Sequence, residues 1–221
     1  MSRADEMVDY YAHRQPDRVL KNNFKFKEDK HMSTKVVTGK VRFSFCHIFE
    51  PDTSMEGEEP KYSVTLLVPK SDTATVEKIK QAIKEAREDF CQRNGANSLP
   101  EKPKTNVNDG DGTNASGDPF GPECAGCYVI RVKSKQKPVI VDAFRNEITD
   151  PAEVYSGCYG RAAIRFFGYN TKGSKGVSAA LLSIQKLHDG EPFGTVGSAN
   201  DFDDDFQDAT AAAGAQDDWL A

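Results

Sequence analysis

Residues 159–170 read YGRAAIRFFGYN. Side chains of a β-strand point alternately to opposite faces, so Tyr159, Arg161, Ala163, Arg165, Phe167 and Tyr169 share one face, and Gly160, Ala162, Ile164, Phe166 and Gly168 share the other. The second row is small and apolar, as a surface turned to a core must be. The first row mixes three aromatic rings with two guanidinium groups, which suits an outward face or a groove more than a core. For Phe167 and Tyr169 the competing reading is a ring within a core.

The sequence around this strand repeats the theme. Between Thr34 and Phe49 the run TKVVTGKVRFSFCHIF places Val41, Phe43, Phe45, His47 and Phe49 on one face, with Lys40, Arg42 and Ser44 on the other. KYSVTLLVP at 61–69 reads as its partner strand, connected through the polar, proline-flanked stretch 51–60. A helix follows: Ser71 or Asp72 can cap it, and Val76, Ile79, Ile83, Ala86 and Phe90 recur at helical spacing up to the Asn94-Gly95 stop. Residues 97–123, rich in Gly, Pro, Asn and Asp, predict a long loop or flap. Strand signals return in GCYVIRVKSKQK, PVIVD, the quoted stretch and GVSAALLSIQKL, with a basic hairpin loop at 170–176. Five or six strands with one inserted helix predict a mainly β fold, a small antiparallel barrel over residues 32–188.

The ends are of another character. Residues 1–31 are polar, broken by Pro16 and without a sustained apolar period, and Met32-Ser33-Thr34-Lys35 resembles a second start. Of the 34 acids, nine fall in 189–221, a stretch without Lys or Arg, which leaves 29 cations against 25 anions in the rest of the chain. The body is therefore mildly basic, and the tail is predicted to be flexible and strongly acidic, a polarity that points to polyanion binding or an interaction tail. No apolar run approaches the roughly 18 residues of a membrane span, and no secretory h-region opens the chain, so a soluble intracellular protein without a membrane partner is expected. Five cysteines at irregular spacings predict reduced thiols.

Single-stranded nucleic acid requires cations that follow its phosphates and flat rings on which its bases stack. Arg131, Lys133, Lys135 and Lys137 fall on one face of the strand around 128–137, with Tyr128, Ile130 and Val132 on the other. Set beside the row at 159–169 in an adjacent strand, they would make a positive groove. The candidate residues for binding a single nucleic-acid strand are then Arg131, Lys133, Lys135, Tyr159, Arg161, Arg165, Phe167 and Tyr169, with Lys40 and Arg42 in second place. For the lysines, the bland alternative is a solvated or edge-protecting face. Cys124-Ala125-Gly126-Cys127 has the spacing of zinc sites and redox dithiols, but no second pair completes it, so buried thiols are expected and neither metal nor cofactor. His47, in an apolar row, reads as structural. No nucleophile elbow, zinc-protease helix or Gly-Lys-Ser/Thr phosphate loop is present, and nothing argues for an enzyme.

The segments KYSVTLLVPKSD, GCYVIRVKSKQKPVIVD, ITDPAEVYSGCYGRAAIRFFGYN, GVSAALLSIQKLHDGEPFG and DFDDDF together resemble the single-stranded DNA-binding proteins of tailed bacteriophages and prophages, from about Ser33 to Phe206. The resemblance implies an OB-like barrel and a role in coating single strands during phage replication, recombination and repair. It further implies the cytoplasm of an infected bacterium and an acidic tail, with Asp203, Asp204, Asp205 and Phe206, that contacts phage or host replication proteins. One departure stands out: the acidic cluster is followed by ATAAAGAQDDWLA, so the chain does not end on the acidic-aromatic tip of bacterial single-strand binders. A homo-oligomer is compatible with the sequence. The rival readings are an RNA-binding OB module and a protein-interaction or virion structural protein.

Overall fold

The computed structural model describes residues 34–53, 59–114, 116–171 and 173–194. Within them the chain runs β1 (Lys35–Val37), β2 (Val41–Asp52), β3 (Lys61–Pro69), α1 (Thr73–Asn94), β4 (Lys104–Thr105), β5 (Val107–Asp109), β6 (Cys127–Ser134), β7 (Val139–Val141), β8 (Tyr159–Thr171) and β9 (Ser174–His188). The expectations for residues 1–31 and for the acidic cluster at 201–206 lie outside the described residues.

Five strands close on themselves. β2 pairs with β3, β3 with β6 along eight positions from Tyr62↔Ser134 to Pro69↔Cys127, and β6 meets β9 at Lys133↔Ala180. β9 forms a long hairpin with β8, which returns to β2 at Val41↔Gly160 and Arg42↔Tyr159. The expected mainly β barrel with one helix is thus present, and closure removes the edges that an open sheet of these strands would expose. It differs in one respect from an all-antiparallel barrel: β9 runs parallel to β4, β6 and β7. A parallel partner needs a long crossover, and the chain between β6 and β9 supplies it.

Alternation along β8 holds from Tyr159 to Phe167 except at Ala163, which is expected on the outward row but is buried where the register with β9 shifts. Ala162, Ile164 and Phe166 are buried against Phe43, Leu66, Ile130, Leu181 and Ile184, while Arg161, Arg165 and Phe167 are exposed. Burial of a side chain the size of Ile164 or Phe166 contributes roughly 1.5 to 3 kcal/mol of transfer free energy. Gly160 permits close packing on this face: a Cβ there would lie 2.3 Å from the Gln185 carbonyl oxygen and 2.5 Å from the Phe43 ring. Helix α1 is capped by the Asp72 carboxylate, which accepts from the Thr75 N–H at 3.0 Å. It buries Val76, Ile79, Ala82 and Ala86 and ends at Gly95, whose φ is +106°. The Thr75 hydroxyl also accepts the Gly39 N–H at 2.8 Å, which breaks the predicted run 34–49 into β1 and β2.

Two predictions need correction. The register of β2 slips between Ser44↔Thr65 and His47↔Ser63, so Phe45 and Cys46 oppose one residue of β3. This β-bulge, with Phe45 at φ +49°, reverses the parity of the strand: Phe45 is 64% exposed and His47 is exposed, while Ile48 is buried. Phe45 and His47 therefore leave the core face on which simple alternation puts them. The other correction concerns residues 189–194, expected as the start of a flexible tail. They are held on the barrel: the Tyr155 hydroxyl donates to the Gly190 carbonyl at 2.9 Å, the Phe193 N–H to Ser156 O at 2.9 Å, and Arg42 to Glu191 O at 2.6 Å.

Candidate nucleic-acid interface

Because β2, β3 and β6 are in register, their outward residues form a grid. Arg42, Leu67 and Val129 make one row, Ser44, Thr65 and Arg131 the next, and His47, Ser63 and Lys133 a third. Over one side stands the predicted flap, anchored by β5, whose Asn108 pairs with Val129. Between flap and sheet lies a cleft of about 590 Å³ with Thr65, Leu67, Val129 and Arg131 on its floor, Phe45 on the sheet side and Phe120 on the flap side. Leu67, Val129 and Cys124 are buried there with Phe120, Cys127 and Phe193 packed on them. Arg131 contacts Asp52 only at 3.4 Å and stays exposed, Lys133 is half-buried, and exposed Lys135, just beyond β6, pairs with Glu59. Two rings, apolar side chains and cations along one strand can stack a base and hold its phosphate beside it.

The flap is fastened at its root. Lys70 Nζ binds Asp109 and Asp111, the latter at 2.7 Å, and Asp111 also accepts the Gly126 N–H at 2.8 Å. Hydrogen bonds from Lys70, foremost, hold both carboxyls below the ordinary carboxylate range, and the same bonds raise Lys70 above the usual lysine value. Carboxylates depressed on folding stabilise above their unfolded pKa and lose that contribution as pH falls through the lower folded value, while Lys70 remains charged throughout. Acidification below about pH 4 is therefore expected to loosen the flap root, seen as faster amide exchange at Gly126 and Gly110 relative to the barrel core. Lys70→Ala should give the same loosening at neutral pH. Unchanged relative protection in both cases would show that the ion pairs do not hold the flap.

The thiols play a packing role. All five cysteines are unpaired, and burial pushes Cys124 up to about 11 and, with Cys158 close by, Cys46 up to about 12. Among the described residues no group of three or more His, Cys, Asp or Glu side chains is placed to hold a metal ion, and no helix is long and apolar enough to cross a membrane.

The other predicted site residues lie elsewhere. β6 and β8 are not neighbours: β9 separates them on one side of the barrel, and β3 and β2 on the other. The single groove expected from their two basic rows is thus two surfaces. Arg161 donates through Nε to Thr38 O at 3.0 Å, and Arg165 lies opposite Lys35 on the edge strand β1. Phe167 is 41% exposed, while Tyr169 is half-buried near the β8–β9 turn. Tyr159 is stacked against His188, centroids 4.7 Å apart, with Lys40 and Arg42 about its ring at 5.5 and 5.4 Å. Arg42 is committed to the fold, its Nε donating to Gly157 O at 2.9 Å. Simple alternation assigns Phe45 and His47 to the core row, and Phe120 lies unassigned within the Gly- and Pro-rich flap. A bulge has no marker in the run SFCH, whereas an aromatic at 120 inside a Gly- and Pro-rich flap is a signal of a ligand-facing ring.

A closed five-stranded barrel whose strands β2, β3 and β6 together carry an aromatic, cation-bearing face is the architecture of an OB-type oligonucleotide-binding module. The comparisons with known proteins agree. The family model described as the ssDNA-binding protein of Enterobacter phage Enc34 matches residues 34–217, and the chain belongs to that family. It is 33% identical over 179 residues to putative protein p50 of Acyrthosiphon pisum secondary endosymbiont phage 1, covering 77% of this chain and 93% of that one. The single-stranded DNA-binding protein of bacteriophage Enc34 in complex with ssDNA superposes with a TM-score of 0.63 at 32% identity, over 73% of this chain and 90% of that one. The single-stranded DNA-binding protein gp2.5 of bacteriophage T7 has the same fold, with a TM-score of 0.50 at 16% identity over 75% of this chain and 98% of its own.

Proposed function

We propose that this chain is a non-enzymatic, sequence-independent single-stranded DNA-binding protein that coats exposed strands during phage DNA replication, recombination and repair in the host cytoplasm. The observation that carries this reading is the cleft between Phe45 and Phe120, with Arg131 on its floor and Lys133 at the next outward position of β6. Bases stack on the rings, and phosphates follow Arg131, Lys133 and Lys135. The relative solved with ssDNA, at 32% identity, supports the same ligand here. Asp203, Asp204, Asp205 and Phe206, outside the described residues, are assigned to replication or recombination proteins.

The test is a titration of the full chain with matched single-stranded DNA, duplex DNA and RNA. Single-stranded DNA should bind tightest, and the double variant Arg131→Ala/Lys133→Ala should flatten the log-log salt dependence by about 1.4, at roughly 0.7 per phosphate contact on a single strand. Equal affinity for RNA would reassign the module to RNA, since the ribose 2′-hydroxyl is then tolerated. Failure to bind any nucleic acid would favour a protein-docking role.

A further inference from the structure

The opposite flank of the barrel carries more uncompensated positive charge than the cleft just described. Between β1, the end of β7 and the middle of β8 lies a hollow of about 270 Å³ lined by Lys35, Arg145 and Arg161, with Ser183 and Gln185 at its base and no carboxylate in its wall. Among the described residues none of these three cations is in an ion pair. The bond from Arg161 Nε to the Thr38 carbonyl fixes the guanidinium and leaves its terminal nitrogens free to donate. An adjoining hollow beyond Arg161 adds Lys78, and its one acid, Glu77, is already paired with Lys80 at 2.8 Å. The β2–β3–β6 cleft, by contrast, includes Asp52 and Glu123 beside Arg131.

The turn after β7 is built to present its side chains. Asp142 Oδ1 accepts the N–H groups of Phe144 and Asn146, each at 2.8 Å, and the Gln185 amide donates to the carbonyls of Asp142 and Ala143 at 3.2 and 3.3 Å. Arg145 is held there at φ +72°, a conformation that asparagine or glycine adopts more readily, and its side chain lines the hollow. Phe144, beside it, is 85% exposed. Two guanidinium groups and an ammonium converging without a carboxylate match successive phosphodiesters, and a bare ring next to them matches a base.

We propose that this hollow is a second backbone-phosphate site for single-stranded nucleic acid, separate from the β2–β3–β6 cleft. The proposal rests on the reading of the chain as a single-strand binder, but on different residues. The strand reaching it is either the continuation of the one in the first cleft or a second molecule.

The test uses the full chain, oligo(dT) of 8 and of 30 nucleotides, and the triple variant Lys35→Ala/Arg145→Asn/Arg161→Gln, with its melting checked against the parent. Asparagine at 145 keeps the left-handed turn. If the strand continues, the triple variant should bind the 30-mer about 10-fold more weakly at low salt, with a salt slope flatter by about 2, and the 8-mer unchanged. If a second molecule is bound, two 8-mers should bind the parent and one the variant. Either result supports the site. A folded triple variant that binds both oligonucleotides as the parent does, with the same slope and stoichiometry, overturns it while leaving the first cleft untouched. Loss of affinity for a peptide spanning 199–221, with none for the 30-mer, also overturns it and gives the hollow to an acidic peptide. A parent chain that binds neither oligonucleotide removes the single-strand reading itself.

Discussion

Alanine at Phe43 is expected to lower the free energy of unfolding by about 3 to 5 kcal/mol, while alanine at Phe45 leaves it within about 0.5 kcal/mol. The two rings are two positions apart on β2, and simple alternation would make them equivalent. Phe43 is fully buried at the centre of the barrel, against the face of β8 that Gly160 keeps open, so its removal leaves a cavity that the closed ring of strands cannot collapse to fill. Phe45, turned out by the bulge, has little contact to lose. Its loss should appear in binding instead: about 1 to 3 kcal/mol weaker on single-stranded DNA, with little dependence on base sequence. Denaturant titrations of both variants, followed by oligonucleotide titration of Phe45→Ala, check the pair. Phe45→Gly serves as a control, because glycine accepts the positive φ without strain while equally removing the ring. A destabilised Phe45→Ala with undiminished affinity would make Phe45 a structural ring and remove one wall of the proposed site.

What the sequence discloses is what local periodicity encodes. The helix is legible almost to the residue because its cap, its buried stripe and its glycine stop are all written within 72–95. The two rows of β8 are plain from Tyr159 to Phe167, with Phe166 inside and Arg161 and Arg165 outside; Ala163 alone departs, buried where the register with β9 shifts. The bulge in β2 was not legible: a left-handed phenylalanine has no sequence signal, and one extra residue inverts every later assignment on that strand, which is why His47 was read as a core residue. Closure of the ring through Lys133↔Ala180 was hidden for another reason, being a contact between residues 47 positions apart. The separation of the β6 and β8 basic rows follows from that closure, so the choice of cations was available from sequence but their division into two surfaces was not. Docking of residues 189–194 was concealed by their composition, since Asp189, Gly190 and Glu191 read as tail, yet their backbone groups find partners in Tyr155, Ser156 and Arg42.

Arg42→Ala is expected to cost about 2 to 3 kcal/mol of stability while leaving the salt dependence of DNA binding unchanged, the reverse of what a phosphate contact would give. Nε donates to Gly157 O at 2.9 Å and a terminal nitrogen to Glu191 O at 2.6 Å, so one guanidinium ties the chain just before β8 to the chain just after β9. Its Cζ lies 4.2 Å from the Phe193 ring centroid, and Phe193 packs on the Leu67, Cys124 and Val129 cluster that floors the cleft. Hydrogen bonds to charged donors contribute about 1.5 to 3 kcal/mol each; the bond to Glu191 faces solvent and counts at the low end or below. Lysine has one ammonium at the end of a longer stem and cannot reproduce two divergent donors, so Arg42→Lys should recover little. Lys40 provides the contrast. It is exposed, its only described contact is 5.5 Å above the Tyr159 ring, and Lys40→Ala should cost no more than about 0.5 kcal/mol. Thermal melts of the three variants with salt-dependent titrations separate the roles. If Arg42→Ala melts with the parent and its salt slope falls by about 0.7, the guanidinium was holding a phosphate, and residues 189–194 stay on the barrel without it.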